Sequence, residues 1–336
     1  MCNKIKKHDK INMKLNDIFQ DVPDFICDYF DTYKSATTKK INWFYIKNLL
    51  LWLMEKKYIN KESFSEITTE DLDSIKSKHI IKYLNDLKMR EGKERNSLKS
   101  INTKKNVFSA FWSYLFVNKY VDENVVSLIP KNLFKPEVTD IEVKIPTDEQ
   151  LDDFICNIKY RNNSKYVINR NLTIVKLFIG TGIRAEELEN INVEDLFLDF
   201  DRPYVMILGK GKLEQYAKVY MSIEAKNTLN NYLTEREKYL KENNFESNAL
   251  FLVDNLSRSN NDGRLNVKTI QSMFSTLSEG NITPHMLRHL CGTRLYNKTK
   301  DIVLVQKQLR HTSIEVAAKY YVHVDENNIA DAMAYI

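Results

Sequence analysis

The sequence contains few of the residues that interrupt helices or cross-link chains. It has 8 Gly, 6 Pro and 4 Cys among 336 residues. So little glycine and proline excludes collagen-like and low-complexity proteins, and the 43% hydrophobic content excludes a mainly disordered chain. The cysteines lie far apart without a C-x-x-C pair, which argues against a structural zinc site or a thioredoxin-like motif and suits a reducing cytoplasm.

Long apolar runs and a strong net charge are also missing. The most apolar stretch, residues 46–54, is too short to span a bilayer and contains Lys47 and Asn48. The basic start of the chain is followed by no apolar run of the signal-peptide type. We therefore expect a cytoplasmic protein with no membrane partner. The net charge of +5 permits nucleic-acid binding without requiring it.

Hydrophobic periodicity divides the chain into a helical first part and a mixed second part. In the first part it predicts long helices at 41–57, 74–88 and 100–119, and a shorter helix near Val125 that ends before Pro130. Thr147 and Gln150 form a capping box that begins the second part. The predicted divisions are a basic tail at 1–20, a helical domain at 21–132, a linker at 133–146, a mixed domain at 147–326 and a tail helix at 327–336.

The second part alternates helical patterns with a short β-rich stretch. Tight-turn residues at 209–212 separate two of the predicted strands and indicate an antiparallel hairpin. The predicted strands are 196–200, 204–208 and 216–221, and the predicted helices are 172–179, 183–191, 225–243, 267–277, 284–297, 302–309 and 314–321.

The residues suited to chemistry concentrate in this second part. Four of the six histidines fall between residues 285 and 323, and His285 and Arg288 share one helix face because they lie three positions apart. Arg184 stands in the first turn of a helix after a glycine-rich break, where phosphate binds well. Lys210 stands at the tip of the glycine-flanked hairpin. The set predicts a cationic site for one phosphate, with a tyrosine hydroxyl as nucleophile.

Signatures of other catalytic classes are absent from the sequence. It has no clustered carboxylates, no H-E-x-x-H motif and no Walker loop, which disfavours chemistry that depends on Mg²⁺. His285 and His289 have the spacing of a metal pair on a helix, but no third ligand with suitable spacing accompanies them. We therefore predict neither a metal nor a cofactor.

Five short motifs follow one another in order through the second part. They are T-G-I-R-A-E-E-L from Thr181, G-K-G around Lys210, T-P-H-M-L-R-H from Thr283, L-R-H-T-S-I from Leu309 and Y-V-H-V from Tyr321. In these motifs the chain resembles the tyrosine recombinase family, which includes phage integrases and Xer-like proteins. The resemblance implies a mainly α fold with a small antiparallel β-sheet, in which a helical core-binding (SAM-like) domain precedes a mixed α+β catalytic domain.

The resemblance also implies an enzyme that recombines double-stranded DNA at specific sites without metal or ATP. The catalytic residues it implies are Arg184, Lys210, His285, Arg288, His311 and Tyr321. Arg184 and Arg288 would clamp the scissile phosphate. His285 and His311 would hydrogen-bond it and assist proton transfer. The lysine would protonate the leaving 5′-oxygen, while the tyrosine would attack to give a 3′-phosphotyrosyl link. Glu187 would orient Arg184.

Two positions depart from the family pattern. Arg310 stands where a glycine is usual, so either a left-handed glycine is lost or a phosphate contact is gained. Tyr320 and Tyr321 lie nine and ten positions after His311, and family members are known with either spacing. The Y-x-H-V pattern favours Tyr321 as the nucleophile and leaves Tyr320 as a core aromatic. Lys212 is the alternative to Lys210.

The implied assembly is a homotetramer on paired DNA sites, with tail helices docked in trans. The two domains are expected to grip opposite faces of the duplex, and Lys104 and Lys105 are suited to contacts with backbone phosphates. An accessory DNA-bending or directionality factor is a further expected partner.

The competing enzymes with this chemistry are a type IB topoisomerase and a telomere resolvase. A competing non-enzyme is a recombinase-derived DNA-binding protein, against which the intact catalytic set argues.

Overall fold

The structure, a computed structural model, describes residues 21–135, 144–161, 164–209, 216–259 and 262–321. The chain divides into two compact units, Met1–Val138 and Thr139–Ile336. The predictions for Lys210, Lys212, the tail at 1–20 and the tail helix at 327–336 fall outside the described residues. None of the described helices combines the length and apolar character that a bilayer crossing needs.

The described part of the first unit consists of helices and turns. The helices are α1 (Asp24–Asp31), α2 (Ala36–Glu55), α3 (Thr69–Asp73), α4 (Ser77–Met89) and α5 (Leu98–Val117). Side-chain caps explain where several begin: the Ser35 hydroxyl accepts the Thr38 N–H before α2, and the Ser97 hydroxyl accepts the Ser100 N–H before α5. The core buries large aromatic side chains, Trp112 and Phe108 among them.

The end of this unit differs from its sequence prediction. Instead of a short helix near Val125, residues 121–130 form turns, because Oδ1 of Asn124 accepts the N–H groups of Val126 and Ser127 at 3.1 and 3.2 Å. Phe134, which falls within the predicted linker at 133–146, is buried in the core of this unit.

The two lysines predicted to contact DNA phosphates are engaged within the first unit. Lys105 is buried. The Lys104 ammonium donates to Asn96 and to the Ser100 hydroxyl and lies 5.2 Å from the centre of the Tyr45 ring. Both lysines therefore have less surface available for a phosphate than their sequence positions suggest.

The second unit combines helices with a three-stranded antiparallel sheet of order β1-β2-β3. The strands are β1 (Leu196–Phe197), β2 (Tyr204–Leu208) and β3 (Tyr216–Tyr220). In register, Val205 lies opposite Leu196 on one side and Val219 on the other. The helices are α6 (Asp148–Tyr160), α7 (Lys165–Thr181), α8 (Ala185–Glu189), α9 (Ile223–Glu242), α10 (Val267–Leu277), α11 (Pro284–Thr299), α12 (Ile302–Leu309) and α13 (Ile314–Tyr321). The predicted fold class is confirmed.

Helix α7 is the central element of this unit, since it packs against both α9 and α11. The capping box of Thr147 and Gln150 begins α6 as predicted, with both reciprocal hydrogen bonds present. A separate small cluster joins α11, α12 and α13 through Cys291, Val305, Leu309, Ala317 and Tyr321. This cluster brings the third, fourth and fifth sequence motifs into contact.

Candidate active site

Arg184 lies where α7 turns into α8. Gly182 ends α7 with a φ of 66°, and a Cβ added there would lie 2.3 Å from Cδ2 of Leu309, so only glycine fits. Arg184 then caps α8, and its backbone N–H donates to Oε2 of Glu187 at 2.7 Å. Its guanidinium donates to Oε1 of Glu187 at 2.8 Å, which confirms the predicted pairing, and the Arg184 side chain stays 30% exposed.

Arg288 is held much more deeply, on the inner face of α11. It is 2% exposed, and its guanidinium donates to the carbonyls of Gly182 and Leu309. Burial lowers the pKa of Arg288, and the nearby cations Arg184 and Arg310 lower it further. The guanidinium nevertheless stays charged at neutral pH. An arginine fixed in this way presents a preorganised positive charge.

The end of α12 anchors both arginines. The Leu309 carbonyl accepts from Arg288, and the Arg310 carbonyl accepts from Nη2 of Arg184 at 3.2 Å. These carbonyls stand at a helix carboxyl terminus, where unpaired acceptors and the helix dipole favour cations. These contacts bring together Arg184 of the first sequence motif and Arg288 of the third.

Arg310 follows neither of the two alternatives expected from the sequence. The left-handed conformation is retained without glycine, at φ 54° and ψ 49°. The guanidinium turns inward and donates to Oε2 of Glu187 at 2.7 Å rather than facing outward toward a phosphate. Glu187 is thus shared by two arginines.

Three histidines gather next to these arginines. His285 lies in the first turn of α11 and is exposed, while His289 and His311 are half-buried. Burial and neighbouring charges lower the pKa of His289 and that of His311 to about 4 in each case, and lower the pKa of His285. All three imidazoles are therefore neutral at pH 7 and can both donate and accept hydrogen bonds. The residue that caps the start of α11 is Thr283 and not His285.

The two tyrosines differ in a way the sequence did not predict. Tyr321 is the more buried of the two, at 4% exposed, whereas Tyr320 is half-buried and packs against the cluster of α11, α12 and α13. The Tyr321 hydroxyl lies 3.1 Å from Nδ1 of His289, and its ring lies nearly parallel to that of His311 at 6.0 Å. Burial raises the pKa of Tyr321. The hydroxyl is therefore protonated at neutral pH, with an imidazole nitrogen already beside it.

A cleft of about 540 Å³ opens beside the arginines and is lined in part by Arg184, Thr283, His285 and Arg288. Two fixed cations and a neutral imidazole at one cleft can hold a tetrahedral anion and stabilise the extra charge of a five-coordinate phosphorus. Five of the six predicted residues occur in this region of the second unit. The sixth, Lys210, lies outside the described residues.

Sequence reasoning missed two contacts of this site. His289 was considered only as a metal ligand, yet it contacts the tyrosine hydroxyl; its position four residues after His285 on one helix face was the available signal. Gly292 was not singled out at all. A Cβ there would lie 2.5 Å from Cζ of Tyr321, so glycine makes room for that ring.

Comparison with known proteins identifies the family. Residues 146–328 match the phage integrase family. This match spans more than half of the chain and contains every predicted catalytic residue. The chain therefore belongs to the phage integrase family, and the resemblance to tyrosine recombinases predicted from its motifs is confirmed.

Particular relatives match most of the chain. The tyrosine recombinase XerC of Corynebacterium glutamicum is 28% identical over 265 residues, 79% of each chain. The tyrosine recombinase XerS of Streptococcus pneumoniae is 24% identical and covers 95% of this chain and 98% of its own.

Solved structures share the fold. The XerH site-specific recombinase bound to its difH substrate aligns with a TM-score of 0.60 at 22% identity, over 84% of this chain and 76% of that one. The Tn1549 transposon integrase with circular intermediate DNA aligns with a TM-score of 0.61 at 19% identity, over 79% of this chain and 87% of that one.

Proposed function

We propose that Tyr321 is the nucleophile with which this site-specific DNA recombinase breaks and rejoins DNA strands. The observation that carries the proposal is the convergence of Arg288, His289, His311 and Tyr321 at the junction of α11, α12 and α13. Oη of Tyr321 attacks the phosphorus and loses its proton to a neighbouring imidazole. The bond from phosphorus to O5′ breaks, and the 5′-oxygen leaves with a proton from the general acid. A 5′-hydroxyl of another strand then reverses the step.

The proposed phosphate ligands are Arg184, Arg288, His285 and His311. Arg184 and His285 line the open cleft, and Arg288 supplies a fixed charge at its wall. Because the two arginines donate to consecutive carbonyls at the end of α12, those of Leu309 and Arg310, their separation is set before DNA arrives, which lowers the reorganisation needed in the transition state.

The proposal is tested with a nicked suicide duplex, taken from DNA that flanks the gene, whose short 5′-hydroxyl fragment diffuses away after cleavage. We expect a covalent adduct that retains label placed 5′ of the break and needs no ATP. Label retained 3′ of the break would contradict a 3′-phosphotyrosyl link. Relaxation of supercoiled plasmid without any preferred site would favour the topoisomerase alternative.

Lys210 is proposed as the acid that protonates the 5′-oxygen, on the strength of its motif. A bridging 5′-phosphorothiolate substrate tests it, because a thiolate leaves without a proton. We expect Lys210→Ala to lose cleavage of ordinary DNA and to regain it on this substrate, while Lys212→Ala cleaves both. The opposite result would move the role to Lys212.

We also propose that the protein acts as a homotetramer on paired DNA sites, with tail helices docked in trans and with an accessory factor. We propose further that it comes from a mobile element and acts in the cytoplasm. Ile329, Met333 and Ile336 have the i, i+4 and i+7 spacing that would place them on one face of a helix, and a short helix of this kind would need a surface to dock on. Truncation after Asn327 is expected to preserve binding to one site and abolish synapsis in gel-shift assays. Recombination at the full rate would contradict docking in trans.

A further inference from the structure

Arg310 has an unusual backbone and an unusual side-chain environment at the same position. It ends α12 in the left-handed region, which most residues with a Cβ avoid. Its side chain is only 16% exposed. Both features cost free energy, so the contacts made by this residue must compensate for them.

Two of those contacts connect Arg310 to Arg184, one through Glu187 and one through the Arg310 carbonyl. Nη2 of Arg310 donates to Oε2 of Glu187 at 2.7 Å, and Nη1 donates to the Gln308 carbonyl at 2.6 Å. The Arg310 carbonyl in turn accepts from Arg184. Arg184, Glu187 and Arg310 therefore form a closed ring of three residues from two helix junctions that are far apart in the sequence.

The charges in this ring explain what the arginine adds. A single carboxylate, Glu187, stands among three guanidinium groups, those of Arg184, Arg288 and Arg310. With glycine at position 310, Arg184 would be the sole side chain paired with Glu187 among the described residues. Arg310 adds a second cation beside the carboxylate, so the net charge around Arg184 is more positive and the electrostatic potential there is more favourable for a phosphate.

We propose that Arg310 is a positioning residue for Arg184, acting through Glu187 and through its own backbone carbonyl. The inference rests on the proposed function of Arg184 in holding the scissile phosphate. Arg310 itself does not contact the DNA in this account, since its donors point inward.

The main test is single-turnover cleavage of the suicide duplex by Arg310→Gly at saturating DNA. Glycine keeps the left-handed turn and removes the guanidinium alone. We expect the cleavage rate to fall about tenfold or more, with DNA affinity changed by less than about twofold, because a displaced catalytic group affects the transition state most. Arg310→Lys, which restores the charge without the two-pronged geometry, is expected to recover part of the rate.

A pH profile separates positioning from a merely structural role. Burial alone would raise the pKa of Glu187, but Arg310 and both groups of Arg184 bring it below its ordinary value. Without Arg310 the carboxylate takes up a proton at a higher pH. The acid limb of the cleavage profile of Arg310→Gly is therefore expected to move toward neutral pH, and Glu187→Gln is expected to abolish any further effect of Arg310→Gly.

Lys300→Gly is the matched control, because Lys300 ends α11 in the same left-handed conformation, at φ 52°. It relieves the same backbone strain away from the ring and is expected to raise thermal stability without changing cleavage. Wild-type cleavage by Arg310→Gly, or equal losses in Arg310→Gly and Arg310→Lys with an unmoved pH limb, would overturn the inference. Failure of the wild-type protein to form any adduct would instead overturn the proposed function.

Discussion

Replacing each of the two predicted phosphate-binding arginines with alanine should separate catalysis from stability. Both Arg184→Ala and Arg288→Ala are expected to lower cleavage by orders of magnitude, because each removes a cation aimed at transition-state charge. Their effects on folding should differ, since Arg288 is buried on two backbone carbonyls whereas the Arg184 side chain is 30% exposed.

The size of that difference follows from the contacts. Arg288→Ala leaves the carbonyls of Gly182 and Leu309 without this donor, at a cost of about 1–3 kcal/mol each. Relief of repulsion among Arg184, Arg288 and Arg310 offsets part of this loss. A net loss of about 2–4 kcal/mol should lower the Tm of a unit of this size by roughly 5–12 °C. Arg184→Ala breaks a partly exposed ion pair, worth about 1 kcal/mol or less, and leaves Glu187 with Arg310.

Thermal denaturation followed by circular dichroism, together with suicide-substrate cleavage and gel-shift affinity, measures all three quantities. Equal Tm values for the two variants would refute the claim that Arg288 is anchored by its carbonyls. Losses in DNA affinity as large as the losses in cleavage would show that the arginines are ordinary phosphate contacts.

Two further predictions concern the histidines and the packing of Tyr321. Between pH 6.5 and 4 His289 and His311 bind protons in the unfolded chain but not in the folded protein. The free energy of unfolding should therefore fall as the pH falls through this window, by on the order of 1 kcal/mol for each histidine. Denaturant midpoints that do not change with pH would contradict the neutral imidazoles. Gly292→Ala gains about 1 kcal/mol of helix propensity but places a Cβ 2.5 Å from Cζ of Tyr321. Because this contact displaces the tyrosine ring, adduct formation should fall about tenfold while DNA affinity is unchanged. Unchanged adduct formation would mean that the ring does not need this space.

Local sequence signals were sufficient for most helix and strand bounds in the second unit. Asn266 and Asp301 accept backbone N–H groups at the starts of α10 and α12, and these caps are visible in the sequence. Helix α1 was not predicted, and its start carries no side-chain cap that would mark it in the sequence. The turns at 121–130 were misread as a helix since apolar spacing alone does not reveal the hydrogen bonds of Asn124.

The contacts of the site are harder to predict because they depend on tertiary packing. The motifs identified five residues that the structure places in one region, but they did not predict which tyrosine is buried. That outcome depends on Gly292, which lies far from Tyr321 in the sequence and beside it in the fold. The hydrogen bond from Arg310 to Glu187 joins residues 123 positions apart, so no local sequence pattern predicts it.

The most direct test of the central claim compares Tyr321→Phe with Tyr320→Phe on the nicked suicide duplex. Phenylalanine keeps the ring in the cluster of α11, α12 and α13 and removes only the hydroxyl beside His289. The account predicts that Tyr321→Phe binds DNA normally and forms no covalent adduct, whereas Tyr320→Phe forms it. An adduct with Tyr321→Phe, and none with Tyr320→Phe, would contradict the assignment of the nucleophile.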